Sequence, residues 1–256
     1  MKKYVLPKDY PDMPSSLMHI YLIEAGERLL PAMSPDSSAH VEKYLRSMGV
    51  NVLLNKMVTD YQDHRVILKD GSSIATRTFI WVSGVAAQKV GNLDASHLGR
   101  GARIKVNACN QVEGLDGVFS IGDQCIMTEG DSNWLGGHPQ LAQVAIQQGV
   151  LLAKNLQRLE KGKEMKPFRY RNLGTMATVG RNKAVAEFKK VHMAGFMAWF
   201  MWLVVHLRSI LGVRNKIVVL LNWMWNYFSY GQSLRMIVYA KKAKEVVERE
   251  RRLSST

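Results

Sequence analysis

The sequence of 256 residues contains only two cysteines, Cys109 and Cys125. Two cysteines are too few for a disulfide scaffold or a cysteine-rich metal site, and the sequence holds neither a CxxC nor an HExxH motif. It therefore predicts no metal centre and favours a reducing, cytoplasmic setting. We expect both cysteines to be free structural thiols.

Acidic residues are also scarce, because 35 Lys and Arg stand against 21 Asp and Glu and leave a net charge of +14. Residues 189–256 hold 12 basic and 3 acidic residues, a surplus of nine of those 14 charges. The same region holds four of the six tryptophans, Trp199, Trp202, Trp223 and Trp225. A basic, tryptophan-rich region is typical of contact with a membrane surface rather than with nucleic acid.

The uncharged run in this region, residues 193–205, has thirteen residues, whereas a helix needs roughly 20 apolar residues to cross a bilayer. A second apolar run begins at Ile217 and is soon interrupted by asparagines. We therefore expect two amphipathic helices that lie in the membrane interface. Met193, Met197 and Met201 recur at helical spacing, and packing against the protein body is the alternative for that stripe.

An apolar fraction of 47% is sufficient for a folded core. The first elements are a strand at residues 19–24, a helix that begins at Ser34-Pro35 and stops at Gly49, and a strand at residues 50–54. Such a strand–helix–strand unit implies a parallel sheet.

Further strands and one long helix follow. The helix is expected to begin at His138-Pro139 and to run to about Lys161. The shorter apolar runs predict strands, with a hairpin turn at Asp70-Gly71 and another around Gly180-Arg181-Asn182. These strands are expected at residues 57–61, 65–69, 73–76, 79–82, 103–106, 118–121, 175–179 and 184–188.

Glu24 stands at the carboxyl end of the first predicted strand. A dinucleotide-binding fold places an acid there, against the adenosine ribose hydroxyls. The glycine fingerprint GxGxxG that accompanies such an acid is absent from the sequence. From the residues alone, a solvated acid at a strand end is the favoured interpretation.

The segment from Phe119 to Asp123 predicts a strand that delivers a glycine and then an acid. Gly122 would let the backbone approach a ligand closely, and the Asp123 carboxylate could accept a hydrogen bond from a hydroxyl group. An ordinary strand-to-loop turn is the alternative.

The predicted helix after this turn has small residues at Ala142, Ala145 and Gly149 on one face and Gln143 and Gln147 on an adjacent face. Small residues would let a flat ligand approach the helix, whose N-terminus favours a group that becomes anionic. A tightly packed helix with glutamines at its solvent edge fits the pattern equally well.

Together these elements resemble the type II NADH dehydrogenases, single-subunit, non-proton-pumping NADH:quinone oxidoreductases of the FAD-dependent pyridine nucleotide-disulfide oxidoreductase superfamily. The resemblance extends from Met1 to about Ile237, and its last two segments are the most specific. The matching segments are residues 20–25, 81–85, 119–123, 142–149 and 211–223.

The resemblance implies an α/β fold, a partial Rossmann-like flavoprotein of the kind with two dinucleotide-binding domains, followed by a C-terminal amphipathic helical membrane-binding region. It divides the chain into residues 1–88, the C-terminal part of the NADH-binding domain, residues 89–190, the C-terminal part of the FAD-binding domain, and residues 191–256, a membrane-associating helical tail. Since family members carry two GxGxxG halves, the sequence is expected to be the C-terminal portion of such an enzyme. By itself it should not retain stoichiometric FAD.

The resemblance also implies the chemistry: hydride passes from NADH to the cofactor FAD, and two electrons then reach a membrane quinone. Gln143 and Gln147 are expected to act as catalytic residues that border the quinone pocket, and Glu24 should disfavour NADPH by repelling its 2′-phosphate. The expected FAD contacts are Gly122, Asp123, Gln143, Ala145 and Lys216, and the expected NADH contacts are Glu24, Gly84 and Val85.

The implied protein is peripheral (monotopic) on the cytoplasmic face of the inner or cell membrane. Its partners are a membrane quinone and the bilayer surface but no nucleic acid, and a homodimer is compatible with the pattern. Residues 241–252 predict a solvated terminal helix.

Two other functions stay open. A sulfide:quinone oxidoreductase needs a reactive cysteine pair, and Cys109 and Cys125 lie 16 residues apart without an activating motif. A non-catalytic membrane-associating module is the second alternative.

Overall fold

The protein is seen in a computed structural model that describes Pro7 and residues 11–12, 14–127, 129, 136–189 and 191–229. The helix predicted at residues 241–252 lies outside the described residues.

A parallel strand pair and its crossover helix form the first unit. Strand β1 (Ile20–Ile23) pairs in parallel with β2 (Val50–Leu53), and helix α1 (Pro35–Ser47) connects them. The helix begins as predicted, because the Ser34 hydroxyl accepts a hydrogen bond from the Ser37 N–H at 3.3 Å. The predicted strand–helix–strand unit is confirmed.

A three-stranded antiparallel sheet follows, and its three strands and the hairpin turn at Asp70-Gly71 are confirmed. It consists of β3 (Val58–Gln62), β4 (Arg65–Leu68) and β5 (Ser73–Ala75), with β4 in the centre. The strand predicted at residues 79–82 is wrong, because that run is irregular. Phe79 stacks on Tyr61 of β3 with 5.0 Å between ring centroids, but Ile80, Trp81 and Val82 are all exposed.

The next strand pair differs from the prediction in its second member. Strand β6 (Ile104–Val106) pairs in parallel with β7 (Cys125–Met127), not with residues 118–121. Residues 118–121 make only an isolated bridge between Gln111 and Phe119. The three side chains of β7 are all buried, whereas Val118 is exposed, so burial favours the later segment.

The long helix α2 (Ala142–Glu160) begins four residues later than predicted. His138 is buried, and its ring packs edge-on against Phe168 with 5.1 Å between centroids. Its carbonyl accepts a hydrogen bond from Arg103 Nη2 at 3.2 Å. These contacts keep residues before Ala142 out of the helix.

The C-terminal region has a sheet of β8 (Thr175–Gly180), β9 (Lys183–Phe188) and β10 (Val191–Gly195), then helices α3 (Phe196–Ser209) and α4 (Val213–Ser229). The hairpin and both helices are confirmed, but β10 was not predicted. The uncharged run breaks at Gly195, whose φ of +81° an L side chain rarely adopts. The prediction that the three methionines form one stripe on a helix is therefore wrong, since Met193 lies on a strand and Met197 is exposed.

Strand β9 joins the first unit to the C-terminal helices. Val185 is fully buried in a cluster with α1, whereas Ala184 and Ala186 pack with Ala198 of α3 on the opposite face. Alternating side chains of a central strand point to opposite faces, so β9 lies between two helices.

A polar contact reinforces this packing. Glu187 of β9 accepts hydrogen bonds from the Ser34 backbone N–H at 2.9 Å and the Ser34 hydroxyl at 2.6 Å. Burial acts to raise the pKa of Glu187, but the hydrogen bonds from Ser34 and Ser37 outweigh it and hold the pKa below its ordinary value. The C-terminal sheet is thus fixed to the start of α1.

Candidate functional site

The turn from Gly122 to Cys125 is pressed against α2. Gly122 has a φ of +68°, and a Cβ atom there would lie 3.1 Å from Ala145 Cβ. A Cβ on Gly149 would lie 3.7 Å from Ile121 Cδ1. Close contact with this turn and with Ile121 before it accounts for Ala145 and Gly149, whereas Ala142 is exposed.

Backbone atoms of the turn are bonded to other parts of the protein. The Asp123 carbonyl accepts a hydrogen bond from Gln140 Nε2 at 3.3 Å, and the Cys125 carbonyl accepts one from Arg103 Nε at 2.7 Å. The Asp123 carboxylate is exposed and makes no hydrogen bond or ion pair with the described residues. The turn is fixed, and its one acid is presented to solvent.

Helix α2 starts beside this acid, because Gln140, which bonds to the Asp123 carbonyl, lies two residues before the first residue of the helix. Leu141 at the N-cap makes no side-chain capping bond, so the first N–H groups of a 19-residue helix have no partner from a cap. A carboxylate that accepts from hydroxyls and a helix start that favours negative charge lie together. This donor and acceptor set fits the ribityl chain and ring of FAD.

Gln143 and Gln147 bond to the segment of residues 166–174, here named the strap. Gln147 donates to the Arg171 carbonyl at 2.9 Å and accepts from the Arg171 N–H at 3.0 Å. Gln143 donates to the Gly174 carbonyl at 3.1 Å and accepts from the Leu173 N–H at 3.0 Å. Both amides hold the strap along α2, and their contact with a quinone or with FAD stays a prediction.

A surface groove of about 400 Å³ lies between α2 and the strap, beside Gln147. It has apolar walls and two cationic side chains, and its lining includes Ile146, Gln147, Val150, Lys154, Phe168 and Arg169. Gln143 does not line this groove.

Glu24 follows β1 at the carboxyl edge of the parallel pair. Its backbone continues the ladder, since its N–H donates to the Leu53 carbonyl at 2.9 Å. Its Oε1 accepts a hydrogen bond from the Gly26 N–H at 2.8 Å. The acid is half-buried and is placed where a dinucleotide-binding sheet carries its ribose acid.

Gly84 and Val85 lie in an irregular, exposed stretch. Four residues beyond Gly84, the Gln88 carbonyl accepts a hydrogen bond from Gln124 Nε2 at 2.6 Å. Four residues span at most roughly 14 Å. The predicted NADH-binding backbone therefore approaches the turn that carries Asp123.

Lys216 lies near the start of α4, on the half-buried side that also carries Trp223 and Tyr227. That side packs on α3, with Trp223 beside Trp202 at 6.0 Å between ring centroids. Among the described residues no contact joins Lys216 to the Gly122 turn, so its role in binding FAD stays a prediction.

Two buried amides behind the turn were not among the site residues predicted from the sequence. Gln148 is 1% exposed and its Oε1 accepts from the Gly122 N–H at 2.7 Å. Asn110 is equally buried and donates to the Ser120 carbonyl at 3.3 Å. Gln148 could have been found, because it shares the helical spacing of the apolar Val144 and Leu151.

The two cysteines are free thiols, with Cys125 buried in the core and Cys109 half-buried. Burial raises the pKa of both thiols above the ordinary value. A raised pKa leaves little reactive thiolate at neutral pH, which disfavours redox chemistry at these residues.

Comparison with known proteins identifies the family. Residues 13–149 match the family model of the pyridine nucleotide-disulphide oxidoreductases, and residues 172–230 match the model of the NDH2 C-terminal domain. The chain therefore belongs to the pyridine nucleotide-disulphide oxidoreductase family and, within it, to the type II NADH dehydrogenases. The resemblance inferred from the sequence is confirmed.

Individual relatives agree. The chain is 32% identical over 248 residues to the type II NADH:quinone oxidoreductase NdhA of Mycobacterium tuberculosis, which covers 90% of this chain and 51% of the relative. It is 34% identical over 179 residues to the type II NADH:quinone oxidoreductase of Haemophilus influenzae, with 70% and 40% covered. The chain spans about half the length of the curated relatives it matches.

Among solved structures, NDH2 from Plasmodium falciparum in complex with NADH superimposes with a TM-score of 0.81 at 15% identity. The match covers 91% of this chain and 63% of that one. The partial Rossmann-like α/β fold is thereby confirmed.

Proposed function

We propose that the protein carrying this chain is an NADH:quinone oxidoreductase that uses FAD. The observation that carries the proposal is the Gly122–Asp123 turn. Hydrogen bonds fix the backbone of this turn, which presents an exposed carboxylate beside the uncapped start of α2. Similarity to the type II NADH:quinone oxidoreductases of Mycobacterium tuberculosis and Haemophilus influenzae supports the same activity.

FAD, when bound, would accept the hydride of NADH and supply two electrons to a quinone. Asp123 would accept hydrogen bonds from the ribityl hydroxyls, and Gly122 would let the backbone approach the ligand. The start of α2, at Gln143 and Ala145, would favour negative charge on the ligand. Lys216 is proposed as a further contact from α4.

NADH would bind along the edge that holds Glu24, with Gly84 and Val85 nearest the flavin. The half-buried Glu24 carboxylate has one oxygen engaged by Gly26, and its other oxygen can accept from a ribose hydroxyl. A 2′-phosphate would bring like charge to the same place, so NADH is the proposed donor.

The quinone would lie on the strap side of α2. Gln147 supports this placement because it lines the groove, and an amide N–H can donate to a quinone oxygen that gains negative charge. Gln143, one turn earlier, does not line the groove itself and would border the quinone pocket only where that pocket extends from the groove toward the flavin. The cationic Lys154 and Arg169 would add positive charge at the groove.

Helices α3 and α4 are proposed to bind a membrane surface. Within the described residues no helix combines the length and apolarity that crossing a membrane requires. Neither helix contains an acidic residue, and Arg208, Arg214 and Lys216 surround their connecting turn. Exposed apolar side chains cover the outer face, among them Phe196, Met197, Phe200, Leu211, Val213, Trp225 and Phe228.

Such a surface brings a lipid-soluble quinone to the site without passage through water.

Further features stay predictions: a homodimer, the cytoplasmic face and the domain boundaries at residues 1–88, 89–190 and 191–256. The sulfide:quinone alternative is disfavoured because the more buried of the two thiols, Cys125, is sealed in the core and both pKa values are raised.

Replacement of Glu24 by Gln in the full-length protein should raise the KM for NADH more than it lowers kcat. The change removes charge at a ribose contact remote from the transferred hydride, and it keeps an oxygen for the Gly26 N–H. Use of NADPH relative to NADH should improve. Steady-state kinetics with both nucleotides measures this, and the exposed Glu27→Gln is the charge-matched control. An unchanged NADPH/NADH ratio of kcat/KM would exclude Glu24 as the ribose acid.

Replacement of Gln147 by Ala should slow reoxidation of the flavin by quinone while sparing its reduction by NADH. Losing one hydrogen-bond donor at a partly hydrated site is expected to cost on the order of 100-fold or less. Stopped-flow absorbance measures the two half-reactions separately. The control is Asn172→Ala. The Asn172 side chain accepts a hydrogen bond from the Gly174 N–H, so this bond lies within the strap and does not join the strap to α2. Equal slowing of both half-reactions would mean that Gln147 acts through strap or flavin placement.

Replacement of Leu211 by Glu should weaken binding to lipid vesicles by about tenfold or more, because burying one leucine side chain is worth roughly 1.5–3 kcal/mol. Leu211 is 86% exposed between α3 and α4. Co-sedimentation with vesicles containing phosphatidylglycerol measures binding, and added salt should weaken the wild type. The control is Leu17→Glu, at a 71% exposed leucine outside this surface. Equal binding of both variants would contradict the proposed surface.

A further inference from the structure

The carboxamide of Gln148 fills the inside of the turn formed by residues 122–125. Its Oε1 accepts a hydrogen bond from the Gly122 N–H at 2.7 Å, and its Nε2 donates to Cys125 Sγ at 3.7 Å. The Cys125 thiol in turn donates to the Gly122 carbonyl at 3.4 Å. A single amide from α2 thus contacts both ends of the turn.

The Gly122 N–H points into the protein, where Gln148 Oε1 is its acceptor. The N–H lies in a half-buried bond against the buried Gln148 side chain, and an apolar side chain at position 148 would leave it unpaired at a cost in free energy. The turn could recover a partner only by opening toward water. Ala145 limits any other adjustment, since it lies against Gly122 from the same helix.

The other contacts of the turn do not replace this bond. Gln140, Gln124 and Arg103 hold residues 123, 124 and 125, and none of them bonds to the Gly122 N–H. Gln148 alone among them is buried in the core and bonds to the residue that immediately precedes Asp123. The direction in which the Asp123 carboxylate points therefore depends on it.

We propose that Gln148 is a positioning residue that fixes the Gly122–Asp123 turn in the form that presents the Asp123 carboxylate to FAD. The proposal rests on the proposed function, because FAD is the ligand that Asp123 would hold. Gln148 acts through the turn, since its amide oxygen and nitrogen are both engaged there.

Asn155 provides a matched control on the same helix. It is fully buried, and it bonds to the Lys166 backbone in both directions at 2.9 Å. It has the same chemistry as Gln148, but it holds the strap and not the turn. A purely structural role predicts that losing either amide has the same consequence.

The first measurement is FAD binding to the full-length protein after flavin removal, for wild type, Gln148→Met and Asn155→Leu. Titration monitored by flavin fluorescence gives the affinity, and the thermal midpoint without FAD gives the stability. Gln148→Met should weaken FAD binding by about tenfold or more, the effect of an unpaired buried donor. Asn155→Leu should lower stability similarly and leave FAD affinity close to that of wild type. Gln148→Glu keeps an acceptor oxygen and should bind FAD more tightly than Gln148→Met.

The second measurement needs no flavin. Cys125 is buried beneath the turn, and burial raises its pKa, so alkylation by iodoacetamide should be slow in the wild type. Opening of the turn in Gln148→Met should speed alkylation of Cys125 by about tenfold or more, whereas Asn155→Leu should not. Peptide mass mapping distinguishes Cys125 from Cys109, which serves as the internal reference.

The two measurements separate the proposal from the proposed function. A wild-type protein that binds no FAD overturns the function, and the thiol measurement then still tests whether Gln148 fixes the turn. Equal loss of FAD affinity in Gln148→Met and Asn155→Leu overturns the positioning role. Unchanged protection of Cys125 in Gln148→Met overturns it as well. If Gln148→Met does not fold, Gln148→Glu takes its place, and loss of FAD binding with unchanged protection of Cys125 in that variant overturns the positioning role.

Discussion

Close contact between α2 and the Gly122 turn is the constraint on which the candidate site depends. On one flank of the helix Ala145 leaves room for Gly122, and on the opposite flank Gln143 and Gln147 hold the strap. The buried face between them carries Gln148, which bonds to the Gly122 N–H. One helix therefore sets both the position of Asp123 and the course of the chain toward the C-terminal sheet.

The strap and β9 extend this constraint to the proposed membrane surface. The strap leads directly into β8, and β9 packs between α1 and α3. The hairpin between β8 and β9 reaches the end of α4, where Arg181 donates to the Asn226 and Tyr227 carbonyls at 2.6 Å each. Charged donors at a helix C-terminus stabilise its free carbonyls. The elements of the candidate site and the helices of the proposed membrane surface are thus fixed relative to each other.

Local patterns predicted what local interactions determine. The Ser34-Pro35 start of α1 and the hairpin turn around Gly180-Arg181-Asn182 are such cases. Long-range pairing could not be predicted: residues 79–82 have a strand composition but pair with no strand among the described residues, and β7 rather than residues 118–121 lies beside β6. At the site, the sequence indicated Asp123 and the small residues of α2, but not that Gln148 supports the turn, because a hydrogen bond across 26 residues leaves no local pattern.

The most direct test of the account is FAD binding to the full-length protein with Asp123 replaced by Ala. The Asp123 carboxylate makes no hydrogen bond or ion pair with the described residues, so its loss should leave the thermal midpoint without FAD unchanged. FAD affinity should fall by about tenfold or more, as expected for a lost hydrogen bond to a charged group. The exposed Asp116→Ala is the control and should bind FAD like the wild type. Wild-type FAD affinity in Asp123→Ala would contradict the central claim that this turn holds the flavin.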